Sequence, residues 1–112
     1  MAFNATLETS KDIAKITLSG ELDASTAPIF QTQVEKAAAE NPKRLVLMMQ
    51  DLGYMASAGV RVLIFATRKL GADLDIYMVG PQEGVMETLI KTGIDKSVIV
   101  VDKYEAAQIE NV

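Results

Sequence analysis

The fold is decided by the apolar run Leu45-Val46-Leu47-Met48-Met49. Both faces of a strand with this sequence are apolar, which is typical of a central strand that is covered on both sides in a parallel or mixed sheet. Two similar runs, Leu74–Val79 and Val98–Val101, predict two more strands. The segments between these runs, Ser57–Leu70 and Pro81–Thr92, are interpreted as helices. Alternating strands and helices predict an α/β layer fold.

Two shorter runs precede the central strand, and both alternate apolar with polar residues. Phe3–Glu8 and Ile13–Ser19 each place their apolar side chains on one face, as half-buried strands do. The polar turn Thr9–Asp12 joins them, so we expect an antiparallel pair. The segment Gly20–Asp23 is expected to break the second strand.

The predicted helices have recognisable ends. Ser25 or Thr26 can cap the first helix, and Pro28 is tolerated in its first turn because the missing N–H is not needed there. Asn41-Pro42 ends this helix. Gly93 is a good C-terminal cap for the helix that follows Pro81.

The last helix is predicted from a capping box. Asp102 is followed three residues later by Glu105, a pattern that opens a helix, here to about Glu110. The element order is then β-β-α-β-α-β-α-β-α. A length of 112 residues suits one domain, and no repeat, low-complexity segment or linker divides it. We expect one α/β domain over residues 1–112, with a mixed sheet of about five strands and about four helices.

The composition bears on the class of protein. Cysteine and histidine are both absent, which removes thiolate nucleophiles, thiolate metal sites and any Ser–His pair. A hydrolytic or metal-dependent enzyme is therefore not expected, and no cofactor is predicted. A net charge of −4 opposes binding to nucleic acid or to an anionic membrane. With no spanning run of about 18 apolar residues, and no secretory signal in Met1–Lys11, we expect a cytosolic protein.

The segment after the central strand carries the most information about function. It reads Asp51-Leu52-Gly53-Tyr54-Met55-Ala56-Ser57-Ala58-Gly59-Val60-Arg61-Val62-Leu63. Ser57 is placed where this strand leads into a helix, an edge at which α/β proteins usually form sites. Three interpretations of Ser57 compete: a helix cap, a hydrolase nucleophile and a phosphoacceptor. The nucleophile is disfavoured, because no histidine can act as its base and Met55 replaces the glycine of a nucleophile elbow.

The same segment resembles the signature of the STAS family, which includes the bacterial anti-sigma factor antagonists. The similarity covers Asp51-Leu52 and the run from Ser57 to Leu63. Leu18–Pro28 resembles the strand-to-helix element of that family, and Leu89–Ile94 resembles its segment before the last strand. The resemblance spans nearly the whole chain, and the order of elements agrees.

This resemblance implies a regulatory protein that is not an enzyme. In the family, the serine that matches Ser57 is phosphorylated by a partner serine kinase that is also the anti-sigma factor. The unphosphorylated antagonist binds this kinase and frees the sigma factor, and a serine phosphatase resets the cycle. Relatives often carry Asp or Ser before the acceptor, where this chain has Ala56.

Nine residues are predicted to contact the partner. At about 100° per residue along the helix, Arg61 and Arg68 lie within roughly 40° of Ser57. One interpretation is that Arg61 pairs with a phosphate on Ser57 and Arg68 contacts an acidic partner; the alternative is that both arginines solubilise an exposed helix face. The predicted set is Asp23, Ser25, Tyr54, Met55, Ala56, Ala58, Gly59, Arg61 and Arg68, of which Asp23 belongs to the binding surface by the resemblance to the family. Asp23 has an alternative role in forming a turn, and Tyr54 and Met55 have an alternative role in packing the loop, instead of contacting the partner. Val62 and Phe65 are expected to pack against the Pro81–Thr92 helix or to anchor a partner.

Two other functions stay open. The first is a STAS protein-interaction subunit that is not switched by phosphorylation, which the alanine at position 56 favours. A small-ligand or nucleotide binder is the other alternative, although no glycine-rich phosphate loop supports it.

Overall fold

A computed structural model of the protein describes residues 3–10, 12–70 and 74–110. Its elements follow the order that the sequence predicts, with one short 3₁₀ turn added before the last strand. In chain order they are β1 (Asn4–Ser10), β2 (Ile13–Leu22), α1 (Ala27–Ala39), β3 (Arg44–Met55), α2 (Ser57–Leu70), β4 (Asp75–Val79), α3 (Glu83–Thr92), the 3₁₀ turn (Ile94–Lys96), β5 (Ile99–Val101) and α4 (Ala106–Ile109).

The five strands form one mixed sheet in the order β1-β2-β3-β4-β5. β1 pairs with β2 in an antiparallel ladder, as predicted, and every other neighbouring pair is parallel. Because the parallel strands follow one another without a reversal, right-handed crossovers place α1, α2 and α3 on the same face of the sheet. The predicted α/β fold is confirmed.

The main core lies between the sheet and these three helices. Phe30 of α1, Leu63 of α2 and Leu89 of α3 are at most 1% exposed and belong to the same cluster as Leu45 and Leu47 of β3. α1 faces this core with one apolar stripe, whose members Ala27, Phe30, Val34 and Ala37 are buried. The largest fully buried side chains are those of leucine, isoleucine and methionine, apart from a single phenylalanine, and the chain has no tryptophan.

The other face of the sheet has a smaller cover. Ile109 of α4 is fully buried in a cluster with Ile13, Val46 and Tyr77. The Arg44 guanidinium donates to the carbonyl oxygens of Gln108 and Ile109, the latter at 3.0 Å, and so holds the last turn of α4 on the sheet. β3 is therefore covered on both sides, as its sequence indicates, but by three helices on one face and one short helix on the other.

Three strands run further than the sequence predicts. β1 continues to Ser10, so Thr9 and Ser10 pair with β2 instead of lying in the predicted turn. β2 continues through Gly20 to Leu22, and β3 continues to Met55 instead of ending at Met49. The expected break at Gly20–Asp23 is wrong because Gly20 adopts a positive φ of 88° and the ladder shifts register there without ending.

The predicted helix ends are confirmed in part. Asn41 has a φ of 51° just after α1, and Gly93 closes α3 in the left-handed conformation. The capping box at Asp102 is wrong: α4 begins only at Ala106, its N-cap is Glu105, and no side chain caps it. Over the described residues, no helix has the length and hydropathy to cross a membrane.

Candidate functional site

The candidate site lies where two strands end side by side. Leu22 of β2 pairs with Met55 of β3, and the N–H of Ala56 donates to the carbonyl oxygen of Leu22 at 2.8 Å. The loops that begin at Asp23 and Ala56 therefore leave the sheet at the same edge. Tertiary structure thus brings the Asp23 loop next to Ser57, although more than thirty positions separate them in the sequence.

Ser57 is the first residue of α2, and its side chain is exposed. The carbonyl of Ala56 accepts from the N–H groups of Gly59 at 2.9 Å and Val60 at 3.2 Å, so Ala56 is the N-cap. The interpretation of Ser57 as a helix cap is therefore wrong. Its hydroxyl has no hydrogen-bond partner among the residues that the structure describes. It stands at the positive end of the helix dipole, which favours an anion.

The carboxylate of Asp23 organises the neighbouring loop. Its Oδ1 accepts from the hydroxyl of Ser25 at 2.7 Å and from the N–H groups of Ser25 at 2.9 Å and Thr26 at 3.1 Å. The bond from the Ser25 hydroxyl is the largest of the effects that hold the pKa of Asp23 below 3.8. A turn-forming role for Asp23 is confirmed, and its carboxylate carries a negative charge on the loop that begins at the same sheet edge as α2.

The first turn of α2 rests directly on the ends of the two strands. A Cβ on Gly59 would lie 2.7 Å from Cγ and Cδ2 of Leu22 and 3.1 Å from Cγ of Met55. Leu22 is fully buried and Met55 is 5% exposed, so neither moves easily. The absence of a side chain at Gly59 therefore permits the close approach that sets the position of Ser57.

The outward face of α2 carries a strip of side chains that begins at Ser57. Arg61, Ile64 and Arg68 follow it at intervals of four, three and four residues, and all are exposed. α2 contains no acidic residue. Among the described side chains, no carboxylate lies within 4.0 Å of either guanidinium. Arg61 and Arg68 lie on the same face of α2 as Ser57, as the helix geometry expected from the sequence predicts.

The nine predicted contact residues divide by exposure. Seven reach the surface at least in part, namely Asp23, Ser25, Tyr54, Ala56, Ala58, Arg61 and Arg68. Tyr54 is 52% exposed, so its alternative as a packed loop residue is wrong. Met55 and Gly59 are buried, and they support the site from below.

A groove beside the strip separates α2 from α1. It measures about 500 Å³, and Ala58, Arg61 and Val62 of α2 line one wall. The expectation that Val62 packs against the Pro81–Thr92 helix is wrong, because this side of α2 faces α1. Ile64 was missed by sequence reasoning, although its position seven residues after Ser57 places it on the same face.

The site offers a limited set of chemical groups. It presents an unpartnered hydroxyl on Ser57, a carboxylate on Asp23 and guanidinium groups on Arg61 and Arg68. In the described part of the chain, no three metal-ligating side chains cluster. The arrangement suits acceptance of a phosphate and contact with another protein.

Similar proteins share this fold. The anti-sigma-F factor antagonist RsfB of Mycobacterium tuberculosis is 22% identical over 96 residues, which cover 86% of this chain and 79% of RsfB. The crystal structure of an anti-sigma factor antagonist from Mycobacterium paratuberculosis superposes with a TM-score of 0.88 at 20% identity and covers 98% of this chain and 96% of its own.

A third protein is known in two states. The anti-sigma factor antagonist SpoIIAA in its unphosphorylated form gives a TM-score of 0.82 at 19% identity, with 97% of this chain and 98% of SpoIIAA covered. Its phosphorylated form, from Bacillus, gives 0.71 at 19% identity, with 95% and 96% covered. The sequence model of the STAS domain matches residues 4–107 of this chain. The protein therefore belongs to the STAS domain family, as the motif around Ser57 indicates.

Proposed function

We propose that this protein is a non-enzymatic anti-sigma factor antagonist that is switched at Ser57. In its unphosphorylated form it binds an anti-sigma factor that is also a serine kinase. Phosphorylation of Ser57 by that kinase releases it, and a serine phosphatase resets it. The observation that carries this proposal is the exposed hydroxyl of Ser57, which has no partner in the described residues and lies at the start of α2, at the sheet edge where the Asp23 loop also begins. We place the cycle in the cytoplasm, where sigma factors act.

A phosphate on Ser57 is compatible with the fold. It adds about −1.5 to −2 charges at neutral pH. The free N–H groups at the start of α2 stabilise such a charge by about 0.3–1 kcal/mol, and Arg61 lies one turn away. Because Ser57 is exposed and its hydroxyl supports no described contact, the modified side chain needs no space in the core.

The same phosphate opposes binding. In a complex that covers this edge of the sheet, the added charge loses its water, and an unpaired buried charge costs several kcal/mol. The nearby carboxylate of Asp23 adds repulsion, since its low pKa keeps it negative at neutral pH. The interfacial cost exceeds the local gain, so we expect phosphorylation to release the partner without unfolding the domain.

Supporting observations come from the related proteins. RsfB and the Mycobacterium paratuberculosis protein are named as anti-sigma factor antagonists. SpoIIAA, which has the same fold, exists in unphosphorylated and phosphorylated forms.

The first test is phosphorylation itself. The protein is incubated with ATP and its cognate serine kinase, and its intact mass is measured. We expect one phosphate on the wild type and on Ser25→Ala, and none on Ser57→Ala. Ser25 is a matched control because it is exposed in the same site, but its hydroxyl is engaged with Asp23. A wild type that gains no phosphate, or a Ser57→Ala variant that still gains one, contradicts the switch.

The second test is binding to the same kinase. We expect Ser57→Ala to bind like the wild type and Ser57→Asp to bind at least about tenfold more weakly, which corresponds to 1.4 kcal/mol. Ser97→Asp is the charge-matched control, because Ser97 is exposed and precedes β5 at the opposite end of the parallel strands. If Ser57→Asp binds as tightly as Ser97→Asp, the protein is a constitutive interaction subunit instead.

A further inference from the structure

The strip on α2 continues well beyond the phosphorylation site. Its far half consists of Ile64, Phe65, Arg68 and Lys69, and together with Arg61 these residues line a shallow depression of about 430 Å³. The strip from Ser57 to Arg68 rises about 16 Å along the helix, at 1.5 Å per residue. The far half therefore lies clear of the groups that a phosphate on Ser57 touches.

The charge of this region is opposite to that of the whole protein. α2 carries three basic side chains and no acidic one, in a chain whose net charge is −4. No described carboxylate forms an ion pair with Arg61, Arg68 or Lys69. A cationic region that forms no ion pair with a described carboxylate attracts an acidic surface and steers its approach.

The depression also offers apolar contacts. Ile64 is 36% exposed, and Phe65 is half-buried against the core, with Lys69 Nζ lying 5.8 Å from the centre of its ring. Arg61 lines both this depression and the α1–α2 groove, so the two adjoin along α2, and together they are called the trough. Glu35 of α1 also lines the groove, so the basic character belongs to the far half. There Ile64 and Phe65 lie beside Arg68 and Lys69, which fits an amphipathic helix, whose anchors recur at intervals of three and four residues.

We propose that this trough is a docking site for an acidic amphipathic helix of a partner protein, and that the far half binds whether or not Ser57 is phosphorylated. The apolar stripe of the partner helix packs on Ile64 and Phe65, and its flanking carboxylates face Arg68 and Lys69. Only the identity of that partner, the kinase, rests on the proposed function. In such a complex the Ser57 end decides whether the partner is held or released, and the far end contributes the same weak attraction in both states.

Electrostatic screening explains why the two ends act separately. At physiological ionic strength the Debye length is about 8 Å, and Arg68 lies about 16 Å along the helix from Ser57. A negative charge on Ser57 is therefore largely screened from the far half. An anionic membrane fits the whole protein less well, because its net charge of −4 repels such a surface.

A synthetic peptide tests the trough without the kinase. The probe is a 16-residue helix with leucine at positions 1, 5, 8 and 12 and glutamate at most of the others, and its control carries lysine instead of glutamate. We expect the acidic peptide to bind with a Kd on the order of 10–100 µM, and to bind about tenfold more weakly when salt rises from 0.05 to 0.5 M. The lysine peptide is expected not to bind. NMR shifts of the labelled protein should map to Ile64, Phe65, Arg68 and Lys69.

Variants then separate the trough from general charge effects. Arg68→Gln with Lys69→Gln, and separately Ile64→Ser, are expected to weaken binding of the acidic peptide at least about fivefold. Lys91→Gln with Lys96→Gln removes the same charge from exposed sites on α3 and the 3₁₀ turn, and should change Kd less than twofold. Circular dichroism verifies that each variant is folded.

Three results overturn the proposal. The first is equal binding of the glutamate and lysine peptides, and the second is a set of NMR shifts outside the trough. The third is loss of peptide binding in Ser57→Asp, which we expect to stay within about twofold of the wild type because of screening. Binding to phosphatidylserine vesicles in place of the acidic peptide would assign the trough to a membrane. These outcomes are independent of the phosphorylation test, so either proposal can fail alone.

Discussion

Replacing Gly59 with alanine tests the contact that positions Ser57. The new methyl group would lie 2.7 Å from Cγ and Cδ2 of Leu22, where carbon atoms normally stay about 3.5–4.0 Å apart. Leu22 and Met55 are both buried, so relief requires movement in the core, and overpacking of this kind costs about 1–3 kcal/mol. Alanine recovers about 1 kcal/mol of helix propensity over glycine. We therefore expect a net loss of up to about 2 kcal/mol in the free energy of unfolding.

Urea unfolding followed by circular dichroism measures this loss, which lowers Tm by roughly 4 °C per kcal/mol in a domain of this size. Gly84→Ala is the matched control, because a Cβ at Gly84 of α3 meets nothing within 4 Å. There the same exchange should raise the free energy of unfolding by up to about 1 kcal/mol. A Gly59→Ala variant that gains as much stability as Gly84→Ala would refute the reasoning, since it would show that Leu22 and Met55 make room at no cost.

Three further predictions concern other parts of the fold. The pKa of Asp23 lies below 3.8, and we expect it to rise in Ser25→Ala, which an NMR titration of both proteins measures. The stability that this carboxylate contributes is complete above pH 3.8 and is lost as the pH falls through its folded pKa. Burial, and then the 2.6 Å hydrogen bond to Glu110, raise the pKa of Tyr104 from 10.0 to about 12. The stability linked to Tyr104 is therefore complete below pH 10.0 and is lost as the pH rises towards 12. Glu110→Gln should lower the pKa of Tyr104 in an NMR titration, and an unchanged pKa would contradict the role of this hydrogen bond. Ile109→Ala should lower the free energy of unfolding in urea by about 2 kcal/mol, because it removes the side chain with which α4 packs on the sheet. A loss below about 0.5 kcal/mol would mean that Ile109 does not hold α4 on the sheet.

The sequence predicts the site better than it predicts the exact ends of the elements around it. The spacing of Ser57, Arg61 and Arg68 places them on one face in any regular helix, so the strip follows from the helix alone. The extension of β2 to Leu22 does not follow in this way, because Gly20 reads as a strand breaker. It continues only because β3 lies beside it and the ladder absorbs the positive φ with a shift in register.

Capping shows the same division. Asp102 and Glu105 have the spacing of a capping box, yet α4 begins after both, where Ile109 packs on the sheet and Arg44 contacts the last turn. Burial of one side chain and two long-range hydrogen bonds outweigh a local cap, which contributes about 1 kcal/mol. Local patterns of this kind indicate that a helix is present, while tertiary contacts decide where it starts.

The sequence by itself determined the alternation of strands and helices, the membership in the STAS family and the helix face that Ser57 shares with two arginines. Each of these depends on periodicity or on residue identity within a short segment. Only the tertiary structure decided that Ala56 caps α2, that the Asp23 loop stands beside it, and that Val62 faces α1. Such features arise from pairing between strands that are distant in the chain and from close packing at Gly59, which no local pattern encodes.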